Sequence, residues 1–147
     1  MKDLANDIAI VPLLAPQDVA NTDTASAWLD TQGFQSAVLE AIIGAITTPD
    51  SNSYLTPVAQ ESDTTADADA ETVDAADLIG AFTKIDAASE DNVVQKVGYI
   101  GNMRYIRIKF DFTDGDGGIS AALVAANGIL GHAGERPVTT PAAVAAT

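Results

Sequence analysis

The chain is expected to fold as an antiparallel, all-β sandwich of about seven to eight strands with a jelly-roll-like layout and extended N- and C-terminal arms. Three observations predict this. Residues 93–112 alternate apolar and polar at the two-residue period of a strand. Short apolar runs recur along the chain between Gly, Pro, Asn and Asp at turn spacing. The length, 147 residues, suits one domain able to bury roughly 70% of the surface its unfolded chain exposes. The domain is placed at residues 1–136, with an acidic surface loop at 61–77. Residues 137–147 form a tail of Ala, Pro and Thr, expected to be disordered or to lie extended on a neighbour.

Each element has its own signal. Residues 7–14 read as a first strand with Ile8 and Ile10 on one face, ended by Ala15 and Pro16. Pro12 has no N–H to give a ladder, which puts this strand at an edge or bends it there. Residues 21–24 are a polar loop, and Trp28 and Leu29 suggest a short strand closed at Gly33. Residues 37–47 are the most apolar run. β-Branched side chains, an internal Gly44 and flanking Gly33 and Pro49 favour a central strand over a helix. Residues 53–61 are another strand, with Tyr54, Leu55 and Val58. Residues 74–82 suggest one helical turn limited by Gly80, with Leu78, Ile79 and Phe82 on one face. Residues 119–130 read as a strand apolar on both sides.

The strongest local pattern is in residues 93–112. Gly101 and Asn102 suit a two-residue hairpin loop. That loop would set Ile100 against Met103, Val97 against Ile106 and Val93 against Phe110. The apolar residues Ile106, Ile108, Phe110 and Phe112 would then meet the apolar side of the preceding strand. Lys96 would stand opposite Arg107, with Lys109 on the same face.

Composition narrows the function. The net charge is −14, from 21 acidic and 7 basic residues. Phosphate binding needs clustered Lys and Arg, so nucleic acid is excluded as a partner, as is an anionic membrane. No run approaches the ~20 apolar residues of a spanning helix, and the N-terminus has no apolar core of a secretory signal. The absence of cysteine removes disulfides, thiolate metal sites and Cys nucleophiles. The hydrophobic content leans on alanine, with only 5% aromatics. Such a chain has a thin core and is expected to complete its apolar surface against partners.

Each candidate site has a plainer reading. The run Asp114-Gly115-Asp116-Gly117-Gly118 invites a calcium loop. Its fifth position is Gly118 and its twelfth is Ala125, so the ligand pattern fails and a turn is the better reading. The acids of 61–77 read as a solvated loop, pinned only if something cationic meets them. His132 stands alone, without G-x-S-x-G or H-E-x-x-H around it. No catalytic residue, cofactor or metal site is assigned, and the chain is read as not an enzyme. Lys96, Arg104, Arg107 and Lys109 are the candidate partner-binding residues. Such a cationic stripe wants carboxylates, supplied either by the 61–77 loop in cis or by an acidic neighbour.

Several segments carry a family resemblance. They are residues 29–37 (LDTQGFQSA), 60–63 (QESD), 76–80 (ADLIG), 97–107 (VGYIGNMRYIR), and Gly131-His132 followed by Arg136-Pro137-Val138. In this order the sequence resembles a group of small virion proteins of tailed bacteriophages, some of them capsid cement (decoration) proteins with a jelly-roll-like fold. The resemblance implies a structural virion protein on the outer surface of the capsid. Its partners would be the major capsid protein and itself, as a homodimer or homotrimer. Alternatives are a host-glycan-binding virion sandwich, with Trp28 and Tyr54 for sugar stacking, and a head–tail or tail component.

Overall fold

A computed structural model describes residues 4–19, 22–115, 119–135 and 137–147. Among these residues the fold is all-β. Ten strands occur: β1 (Ile8–Asp18), β2 (Thr24–Ala25), β3 (Leu29–Asp30), β4 (Ser36–Ile46), β5 (Ser53–Ser62), β6 (Glu71–Thr72), β7 (Leu78–Ile79), β8 (Val93–Tyr99), β9 (Tyr105–Asp114) and β10 (Ala122–Gly131). One sheet has the order β1-β10-β4-β8-β7 and is called sheet A below. The other, sheet B, has the order β2-β9-β5-β6, with β3 also on β9. All pairings are antiparallel. The two sheets stack as a β-sandwich.

The core lies between them. Sheet A contributes Val11, Leu39, Ile43, Val97, Val124 and Leu130, and sheet B contributes Leu29, Leu55, Ile106, Ile108 and Phe110, all buried. In β4 every second residue from Ala37 to Ile43 is buried, as a half-covered strand requires. The apolar period was legible because each sheet has one inner face.

Proline positions follow from hydrogen bonding. β1 is an edge strand, as Pro12 requires. It does not end at Ala15 and Pro16 but runs on to Asp18, with register shifts on either side of Leu14. An edge strand tolerates these breaks because only one of its sides is paired. Residues 75–77 form a single 3₁₀ turn before β7, so the helical turn is shorter than expected. Ile79 then points into solvent and does not share a buried face with Leu78 and Phe82.

The hairpin of residues 93–112 is not formed. Both strands exist, but β8 pairs with β4 and β7 while β9 pairs with β5, β2 and β3. The chain crosses from sheet A to sheet B between them. Val97 lies opposite Leu39, not Ile106, and Ile106 lies opposite Glu61 and Leu29. The reason is geometric. Two strands with matching apolar faces satisfy the pattern equally well side by side or stacked across a core. Gly101 and Asn102 also lack the positive φ that a type I′ loop demands. Lys96 therefore faces Glu40, and Arg107 faces Gln60, on opposite sides of the molecule.

Candidate functional site

The four basic residues do not form one stripe. Lys96 projects from the outer face of sheet A, and the other three belong to sheet B and its entry loop. Arg104 makes a bidentate pair with Asp30, Nε to Oδ1 at 3.0 Å and Nη2 to Oδ2 at 2.6 Å. Lys109 donates to Asp23 Oδ2 at 2.9 Å and to Asp111 Oδ1 at 3.3 Å. Arg107 pairs with Asp67 and donates from Nε to Gln60 Oε1 at 2.9 Å. Among the described residues, no carboxylate lies within ion-pair distance of Lys96.

These pairs shift the acids. The Arg104 hydrogen bond holds the Asp30 carboxyl below the usual carboxylate range, against its partial burial. Asp23 is lowered by the Lys109 hydrogen bond and then by the Phe112 N–H, which donates to it at 2.9 Å. The lysine of that pair is raised by the same contact.

Arg107 anchors a second, smaller packed layer on the outside of sheet B. It is itself buried, and its guanidinium carbon stacks 4.1 Å from the centre of the Trp28 ring. Trp28 is fully buried and donates from Nε1 to the Thr65 carbonyl at 3.1 Å. The C-terminal segment closes this layer. Trp28 and Val144 exchange backbone hydrogen bonds at 2.7 and 2.9 Å, and Thr147 N donates to Thr65 O at 2.9 Å. The acidic loop is thus pinned by a cation, Arg107, and the tail lies extended on its own chain. Trp28 has no open ring face for a sugar. Tyr54 has Lys84 Nζ 4.8 Å above its ring.

At one end of the sandwich, the segments that carry the family resemblance meet. The crossing loop after β8 folds around Tyr99. Its hydroxyl donates to Glu61 of β5 in the opposite sheet and accepts the Met103 N–H at 2.9 Å. A Cβ at Gly101 would sit 2.5 Å from the Tyr99 hydroxyl, so only glycine fits against the ring. Burial, reinforced by the Glu61 hydrogen bond, pushes the Tyr99 phenol well above its ordinary pKa. Around this centre, Thr31 N and Oγ1 both donate to Arg104 O, at 3.0 and 2.9 Å. Gly134 N donates to Gly33 O at 3.0 Å, and Gln35 N to Gly131 O at 3.3 Å. Leu78 pairs with Tyr99. Residues 29–37, 60–63, 76–80 and 97–107, with Gly131, are therefore one structural unit. Ile100 stands exposed at its tip.

Sequence reasoning anticipated the 61–77 loop as a source of carboxylates, which Asp67 supplies to Arg107, but missed Tyr99 and Asp30, and Glu61 as the partner of Tyr99. The Tyr99–Glu61 contact joins residues 38 apart, and no local pattern reports such a pairing. A glycine two residues after an inward tyrosine was the available signal.

Other candidates are weaker. His132 has a positive φ at the end of β10, and its Nδ1 lies 2.9 Å from Ser36 Oγ on an exposed surface. Among the described residues, no group of three His, Asp or Glu side chains is placed to hold a metal ion. The 114–118 turn and Arg136 lie partly or wholly outside the described residues. No protein-family model matches the sequence, and no curated protein is similar to it.

Proposed function

We propose that this chain is a capsid cement protein of a tailed bacteriophage, bound to the outside of the head where copies of the major capsid protein meet. The observation that supports this most is the convergence of four of the resembling segments, with Gly131 of the fifth, on one end of the sandwich. They build a stiff unit: a sheet-to-sheet hydrogen bond through Tyr99, a bidentate Arg104–Asp30 pair and an exposed apolar tip at Ile100. Cement proteins work mechanically, and load across a contact needs a body that does not shear. The tip offers an apolar contact on a strongly acidic body, whose charge discourages unspecific association. Arg104, Arg107 and Lys109 spend their charge on carboxylates of the same chain. Shell binding by these cations would have to break those pairs, so an apolar contact at the tip is the favoured mode.

The test is binding of the purified chain to heads of its phage before and after expansion. Tighter binding to expanded heads is expected, and Ile100→Asp should abolish it while the thermal unfolding midpoint stays unchanged. Equal binding to both forms would remove the stabilising role.

A further inference from the structure

We infer that the outer face of sheet A is a self-association surface, on which a second copy of this chain docks about a two-fold axis running along the strands midway between β4 and β8. The inference does not rest on the capsid reading. It rests on the chemistry of that face and on its register.

Sheet A has one buried side and one side over which no described strand packs; Leu4 and Asp7 border it at the end near Val38 and Ile129. Its outward residues run Ile8, Ile10 and Pro12 on β1; Ala125, Asn127 and Ile129 on β10; Val38, Glu40 and Ile42 on β4; and Val94, Lys96 and Gly98 on β8. Ile10 is 53%, Val94 61% and Ile79 64% exposed. Ile79 lies over Gly98, where a Cβ would meet its side chain at 3.3 Å. The register lays these residues in rows across the sheet. Ile10, Ile129, Val38, Gly98 and Ile79 form one row, and Ala125, Ile42 and Val94 another. Between them runs Pro12, Asn127, Glu40 and Lys96.

Charge decides the occupant. A molecule carrying −14 meets its own copy only where acids are absent or matched. Among the outward residues named, Glu40 is the one acid and Lys96 the one base, directly opposite each other on neighbouring strands. Glu40 accepts a hydrogen bond from Asn127 Nδ2 at 2.9 Å, and among the described residues no carboxylate lies within ion-pair distance of Lys96. A two-fold axis between β4 and β8 sets each outward residue of β4 over its register partner on β8 of the other copy. Glu40 then meets Lys96 of the partner subunit, twice by symmetry. Ile42 meets Val94 and Val38 meets the Gly98–Ile79 ridge in the same way. The face is self-complementary in charge and apolar in the rows on either side, as the core of an isologous contact requires.

Sedimentation velocity on the full chain tests this, with variants that separate contacts between copies from those within one. The wild type is expected to be a dimer. Glu40→Lys and Lys96→Glu should each weaken dimerisation by about tenfold or more, because each sets like charges against each other. An equimolar mixture of the two variants should recover dimers, since each then presents the charge the other lacks. Pairing within a single copy cannot produce that recovery. Val94→Lys, at a position exposed in the single copy, should give a folded monomer by circular dichroism even where the Glu40 variant unfolds. A monomeric wild type, a trimer, a dimer indifferent to these changes, or a mixture that stays monomeric would each overturn the proposal.

Discussion

Arg107 shows how much one side chain does here. It is buried on the outside of a sheet, where arginine is rarely buried, because Trp28, Gln60 and Asp67 together replace its water. Asp67 is largely exposed, so the pair itself is worth little through solvent. The packing on Trp28 and the Gln60 hydrogen bond contribute more. Arg107→Ala should therefore cost about 2 kcal/mol in chemical denaturation. The titrating groups give a second expectation. Asp23 and Asp30 are lowered in the fold, so their contribution is present above about pH 4 and lost as pH falls through their folded values. The Tyr99 phenol is raised in the fold. Its contribution is complete below about pH 10 and lost as pH rises through its folded value. Thermal midpoints should fall at both extremes, and the alkaline fall should be smaller in Tyr99→Phe. An alkaline limb unchanged in that variant would show that Tyr99 is not its source.

At the level of elements, the strands were readable and their partners were not. The period of β4, β5 and β9 follows from one covered face, and Pro12 located an edge. Pairing was misread in residues 93–112 because alternation reports which face is buried and not which strand lies alongside. What separates β8 from β9 is Tyr99 reaching Glu61, with Gly101 giving room for the ring. Neither contact is local in sequence, and the same holds for Arg104 with Asp30 and Arg107 with Asp67. The basic residues stood out, and the 61–77 loop was a legible source of carboxylates for Arg107; Asp30 and Asp23, the partners of Arg104 and Lys109, were not. Gly101→Ala should displace the Tyr99 ring and lower stability by about 1–3 kcal/mol, as overpacking does. Gly128→Ala should cost a similar amount, about 1–3 kcal/mol, because its Cβ would come within 2.5 Å of the buried Leu29 side chain. Denaturation curves with unchanged m-values would check both.

The whole molecule is a β-sandwich whose two outer faces differ. The outside of sheet B is closed by its own acidic loop and C-terminal segment. Deleting residues 143–147 should uncover Trp28, the single tryptophan, and shift its fluorescence to the red with greater quenching by iodide. An unchanged spectrum would mean the tail does not cover the ring in solution. The outside of sheet A is left apolar, and the end around Tyr99 and Ile100 is stiff and tipped with an exposed side chain. A shell-bound protein needs both a firm body and such contact surfaces. The most direct measurement is electron cryomicroscopy of phage particles carrying and lacking this chain. The proposed role predicts density shaped like the sandwich, on the outside of the head and repeated over the shell, with the Ile100 end against the capsid. Density confined to a single ring at the neck or tail, or none on the particle, would contradict it.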